Sequence, residues 1–311
     1  MGKLNLNSAW VFPGQGSQYV GMGKNIFLHS NLAKKYFEKA ENILEYDIKP
    51  IIFEGPEKIL KKTVYTQPAI YIISVIIGKI LLEKNIKPSI VAGHSLGEYS
   101  ALTIANAFNF SSGLKLVKVR AEQMELASKS RAGTMAAIIG LDNQKIIELC
   151  ESIKSNEIVV PANFNSPNQI VISGSEKGVN TVINEAKKNG AKLAMLLNVN
   201  GAFHSPLMKT ARLFLSESLD STEFRDTIFP VYTNADAKPH TSSSKIKSLL
   251  LKQLEYPVLW SQIISSIRTT NIYNFLEIGP GKVLSGLNKR IDRSLKTNSI
   301  ETKEDIENLY V

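Results

Sequence analysis

The chain of 311 residues has a single cysteine, Cys150, which excludes an internal disulfide framework. That cysteine falls in an apolar helical pattern, where a small core residue is expected. Histidine is sparse too: His29, His94, His204 and His240 are the whole set, and their spacing matches no metal-ligand pattern. Long apolar runs are missing. The longest, Ala69 to Leu82, is interrupted by Gly78-Lys79 and reads as too short for a bilayer span. Met1 to Leu6 lacks a secretory apolar region and a transit-peptide-like leader, and Leu6 breaks the myristoylation pattern. Aromatic residues are only 8% of the chain and do not interleave with a basic block, which argues against a nucleic-acid surface. The expectation left standing is a soluble, intracellular enzyme without metal or membrane association.

What is present suits a globular enzyme. Hydrophobic residues are 43% and charged residues 21%, enough for a large core in one or two domains. The net charge of +9 comes from lysines scattered through predicted helices. It reflects either general lysine enrichment or a face that attracts an acidic partner.

The most informative stretch is Gly93-His94-Ser95-Leu96-Gly97, which fits G-x-S-x-G, the turn that lifts a serine hydroxyl between a strand and a helix. Ser89 to Ala92 reads as the strand before it and Ser100 to Ala105 as the helix after it. Upstream, Ser8 to Phe12 predicts a first strand running into a glycine-rich loop, Pro13 to Gln18. That loop is not a phosphate loop, because no Gly-Lys-Ser/Thr follows. Helical patterns cover Leu32 to Leu44, Ala69 to Glu83 with Pro68 in the first turn, and Ser112 to Ala127 with Arg120.

After Gly133 the rhythm becomes β-α-β-β-α-β, the ferredoxin-like order. Its elements are Met135 to Ile139, Gln144 to Ile153, Ile158 to Ala162, Gln169 to Ser173, Glu176 to Lys188 and Lys192 to Leu197. The fold class expected is therefore α/β: a hydrolase-like core with a parallel sheet, and an inserted ferredoxin-like α+β subdomain. The expected division is a discontinuous large unit, 1–131 and 200–311, around a small unit, 132–199. A helix at Leu207 to Leu219 and strands at Pro230 to Tyr232 and Asn274 to Ile278 complete the large unit. The tail from Thr297 is polar and is expected to add little to the core.

A serine at such a turn needs a base. His94 should be turned aside by the bend, His29 lies in a helical segment and His240 in a polar loop, which leaves His204. An ordinary hydrolase would place a carboxylate between serine and histidine. The candidates, Asp142 and Glu148, fall in the inserted pattern, so the third group is a backbone carbonyl or an amide.

Taken together, several motifs resemble the malonyl-CoA:acyl carrier protein transacylase family. They are Phe12 to Gln18, Thr66-Gln67-Pro68-Ala69, Gly93 to Tyr99, Asn163 to Pro167, Gly201 to Pro206, Gln253-Leu254 with Pro257-Val258, and Glu277 to Gly281. The resemblance implies Ser95 as the nucleophile and His204 as its base. It implies Gln15 and Leu96 as oxyanion-hole donors, Gln253 as the residue holding the histidine through its main chain, and Gln67 and Asn163 as pocket residues. Arg120 matches the arginine that pairs with the free malonyl carboxylate, a role that suits the guanidinium fork. Phe203, in Ala202-Phe203-His204, favours malonyl over a substrate branched at C2.

The implied reaction is ping-pong, from malonyl-CoA to acyl carrier protein in fatty acid synthesis. It needs no cofactor, since malonyl-CoA is a substrate, and a monomer in a cytoplasm or plastid stroma is expected. Lys282, Lys289, Arg290 and Arg293 are candidates for docking an acidic carrier. A polyketide-serving acyltransferase, a serine hydrolase and a carrier-binding pseudoenzyme are the alternatives.

Overall fold

The computed structural model describes residues 7–199 and 201–309. Met1 to Leu6, on which the leader expectation rests, and position 200, where the second segment of the large unit was expected to begin, lie outside them. The strands are β1 (Ser8–Phe12), β2 (Ile90–Gly93), β3 (Thr134–Ile139), β4 (Val159–Ser166), β5 (Gln169–Gly174), β6 (Leu193–Leu196), β7 (Val231–Tyr232), β8 (Pro239–His240), β9 (Asn274–Ile278) and β10 (Lys296–Ile300). They form a six-stranded sheet, β10-β9-β1-β2-β7-β8, and a four-stranded sheet, β4-β5-β3-β6.

The large sheet is parallel except for the β7–β8 pair. Its central strands are apolar on both faces, as strands covered on both sides must be. In β1, Trp10 and Phe12 point into the larger core with helices Asn31–Leu44, Thr63–Glu83, Gly97–Ile104 and Phe110–Ser130. Ala9 and Val11 point the other way, toward helices Trp260–Arg268 and Val283–Ile291. The small sheet is antiparallel throughout, and its order is that of a ferredoxin-like unit. Ala136, Ile138, Ile170 and Ile172 pack on helices Asn143–Ser152 and Glu176–Lys188. The alternate residues, Met135, Ala137, Asn163, Asn165, Gln169 and Val171, face a cavity shared with the large sheet. The period of two thus separates core from site in one set of strands.

Three expectations fail. Pro68 does not open its helix; the helix runs Thr63–Glu83, with Pro68 inside it. A proline there leaves the carbonyl four residues back without its usual donor, and the Tyr46 hydroxyl donates to that Val64 oxygen at 3.3 Å. At 21 residues and a mean hydropathy of 1.5, this helix is long and apolar enough to cross a membrane, contrary to the shorter run read from sequence. Here every residue from Thr66 to Gly78 is buried within the protein. The polar tail also does more than expected: β10 pairs with β9, and Ile300 and Ile306 are buried. Its alternating polar residues hid an edge strand.

Candidate active site

Ser95 sits between β2 and the helix Gly97–Ile104 with φ of 51°, a left-handed conformation that holds its side chain out of the turn. The turn tolerates no bulk. A Cβ on Gly93 would lie 1.9 Å from the Gly97 carbonyl carbon, and one on Gly97 would lie 2.0 Å from the Phe12 oxygen. Gly97 N–H donates to His94 O at 2.9 Å, and Ser95 N–H donates to the Asn234 side-chain oxygen at 2.7 Å. Asn234 also donates to Gly93 O at 2.6 Å, so one amide ties the end of β2 to the serine.

The Ser95 hydroxyl lies 2.8 Å from His204 Nε2, and His204 Nδ1 lies 2.7 Å from the Gln253 backbone oxygen. That pairing makes Nδ1 the protonated nitrogen and Nε2 the acceptor of the serine proton. The third group is thus a main-chain carbonyl, one of the two options read from sequence. Asp142 instead caps the helix Asn143–Ser152, and Glu148 is solvent-exposed. His204 has φ of 56° and is almost fully buried. Burial, followed by the Arg120 charge, pushes its imidazole down to about 3, so it is neutral at pH 7.

Arg120, from the helix Phe110–Ser130, is 1% exposed. Its Nη1 donates to Gln67 Oε1 at 2.7 Å, and its Nη2 to both Ser95 Oγ and Gln253 Oε1 at 3.1 Å. The guanidinium carbon stands 5.5 Å from the centre of the Tyr99 ring. Every direct hydrogen-bond partner of this buried cation is neutral, and Nε has none among the described residues.

The cavity in front of these groups has a volume of about 460 Å³. Gln15, Gln67, Leu96, Asn163 and Phe203 all line it, and Lys282 and Arg290 stand at its rim. Among the described residues, no hydrogen bond occupies the backbone N–H of Gln15 or Leu96; the Gln15 side chain reaches Thr63 at 3.4 Å. Lys289 and Arg293 are exposed and do not line the cavity. His94 is turned from the serine, as the bend requires, and bonds Asn165 at 2.9 Å.

Sequence reasoning missed Asn234 and Glu98. Glu98 is fully buried, and one of its oxygens, Oε2, accepts from Asn234 N at 3.0 Å and Gln253 Nε2 at 2.8 Å. Burial raises its carboxyl to about 7, against the lowering effect of those donors and of Arg120. Glu98 lies within the motif Gly93 to Tyr99 and opens an otherwise apolar helix, but neither signal gave it a role; Asn234 gave no signal. The arrangement can transfer an acyl group: an activated hydroxyl, a neutral base, free N–H donors and a buried cation converge on one cavity.

Residues 9–307 match the acyl transferase domain family. The chain is 42% identical over 300 residues to the malonyl CoA-acyl carrier protein transacylase of Bacillus subtilis, covering 96% of this chain and 95% of that protein. The Staphylococcus aureus protein of the same name is 41% identical, covering 96% and 97%. Among solved structures, the Coxiella burnetii malonyl CoA-acyl carrier protein transacylase superposes with a TM-score of 0.94 at 37% identity, covering 98% and 97%. A malonyl-transacylase in complex with its type II PKS acyl-carrier protein gives 0.94 at 39% identity, covering 97% and 98%.

Proposed function

Because the chain belongs to the acyl transferase family, among the malonyl-CoA:acyl carrier protein transacylases, we propose that it carries malonyl from CoA to a carrier-protein thiol through an ester on Ser95. His204 Nε2 takes the serine proton as Oγ attacks the thioester carbonyl. The Gln15 and Leu96 N–H groups receive the oxyanion, a contribution of roughly 3–4 kcal/mol per donor in comparable sites. The C–S bond breaks, and His204 returns the proton to the CoA sulfur. The phosphopantetheine thiol then gives its proton to His204 and attacks the malonyl ester, and Ser95 leaves with that proton.

The observation that carries this reading is the position of Arg120, a buried cation with neutral partners, 3.1 Å from the serine hydroxyl. Such a cation suits an acyl group bearing its own carboxylate, which it grips through two parallel N–H bonds. The same charge depresses His204. A malonyl carboxylate neutralises that charge and strengthens the base, whereas an acetyl group leaves it weak. Phe203, buried beside His204, restricts room near C2. Fatty acid elongation is the fate we assign to the product, with an acidic carrier drawn to the basic rim at Lys282 and Arg290.

The test is incubation with labelled malonyl-CoA, with and without acyl carrier protein, following protein-bound label, malonyl-carrier and free malonate. The expected result is a label on Ser95 that transfers to the carrier. Free malonate as the main product would mean a hydrolase, and a label surviving in Ser95→Ala would remove Ser95 as the nucleophile.

A further inference from the structure

The buried cation of the site has a countercharge, but not in contact with it. Arg120 Nη2 donates to Gln253 Oε1 at 3.1 Å, and Gln253 Nε2 donates to Glu98 Oε2 at 2.8 Å. One side-chain amide therefore separates guanidinium from carboxylate. Glu98 is 0% exposed, and its two oxygens are used very differently. Oε2 accepts from Asn234 N and Gln253 Nε2, whereas Oε1 has no partner. A proton on Oε1 disturbs no existing bond, so either charge state fits one geometry.

We propose that Glu98 is the exchangeable counterion of Arg120: ionised in the empty site on the alkaline side of neutrality, it takes one proton from solvent when a substrate carboxylate reaches the guanidinium. This rests on the reading of Arg120 as the carboxylate clamp. Two carboxylates that share one buried cation cannot both stay ionised at little cost, and the one with the spare, unsolvated oxygen gives way. The Gln253 amide that keeps Glu98 at arm's length leaves the guanidinium open for substrate. Glu98 is thus a positioning and charge-balancing residue, one that favours an acyl group carrying a charge.

The other charged or titratable groups facing this network hold one state through the neutral range. They are Arg120 on its helix, Tyr99 beside Glu98, His204 and His94 across the cavity, and Asp236 after β7. Arg120 stays protonated. Tyr99 is held neutral by burial, His204 and His94 are pushed below their usual range by burial, and Asp236 is held ionised by its hydrogen-bond donors. Glu98, raised to about 7 by burial, is the group placed to exchange a proton there.

The experiment measures equilibrium binding of malonyl-CoA and acetyl-CoA to the Ser95→Ala protein from pH 6 to 9, with and without Glu98→Gln. The ratio of the two dissociation constants cancels the titration of the CoA phosphates. The preference for malonyl should fall, by about tenfold, as pH rises through and above 7, because binding is then coupled to uptake of a proton by Glu98. With Glu98→Gln, whose carbonyl can accept the same two bonds, the preference should be independent of pH. A flat ratio with Glu98 intact overturns the proposal. So does a slope that persists in Glu98→Gln, which would move the proton to His204. Adding Arg120→Ala separates the premise: malonyl preference surviving that change sinks the clamp itself, whatever the pH dependence.

Discussion

Arg120 is the residue whose loss should be most selective. Removing one partner of a buried charge pair costs about 2–5 kcal/mol, so Arg120→Ala should lower kcat/KM for malonyl-CoA by roughly 30-fold to several-thousandfold. Acetyl-CoA, which offers nothing to the guanidinium, should lose little; steady-state kinetics on both substrates decide it, and equal losses would defeat the clamp. Glu98 makes a separate statement about stability. Its folded-state carboxyl titrates at about 7, above the ordinary 4.5, so the native state holds the proton more tightly than the unfolded chain. Stability from this group is fully present below about pH 4.5 and is lost as pH rises through 7, to the extent of roughly 3 kcal/mol. Glu98→Gln escapes that loss, so its melting temperature relative to the unsubstituted protein should rise between pH 5 and pH 8. An unchanged difference across that range would show that the carboxyl titrates normally. Asn234 acts on the backbone instead: Asn234→Ala frees Ser95 N–H and Gly93 O together. About 1–3 kcal/mol of stability should go with each unpaired buried group, and kcat should fall further than the melting temperature alone explains.

Among the elements, those with a clear period are legible in the sequence. The small sheet and its two helices appear within a few residues of their expected places, because alternation in β3 and β5 and the apolar stripe of Glu176–Lys188 leave little freedom. The serine turn was legible from its two glycines. What misled was local punctuation. Pro68 reads as a helix start, yet a tertiary hydroxyl from Tyr46 compensates for its missing donor. Tyr46→Phe should therefore lower stability by about 1 kcal/mol, seen as a reduced denaturant midpoint; no change would mean Val64 O finds water. The polar tail reads as surplus because β10, an edge strand, buries only one face and little of that. The remainder of the site was illegible for a different reason. Ser95 and Asn234 are 139 positions apart, and Gln253 and Glu98 are 155 apart. No local pattern encodes such contacts, and only family resemblance reached Gln253.

At the scale of the whole molecule, the net charge of +9 is spread widely, and the proposed docking of an acidic carrier assigns the relevant part to Lys282 and Arg290, which line the cavity. Reversing both to Glu should raise KM for an acidic carrier several-fold and flatten its dependence on salt. Kinetics of the second half-reaction at two ionic strengths check this, and unchanged salt dependence would place the docking face elsewhere. Residues of both sheets line that cavity, the small one facing a serine that the large one supplies. The order of strands adds a consequence in time. β1 lies between β2 and β9, and the histidine's carbonyl partner is 158 positions beyond the serine. On the ribosome, Ser95 emerges long before His204 and longer still before the strand that closes the sheet around it. On the proposed mechanism, a half-made chain therefore carries an unactivated hydroxyl, and the capacity to take an acyl group arrives late in synthesis, when the last central strand docks.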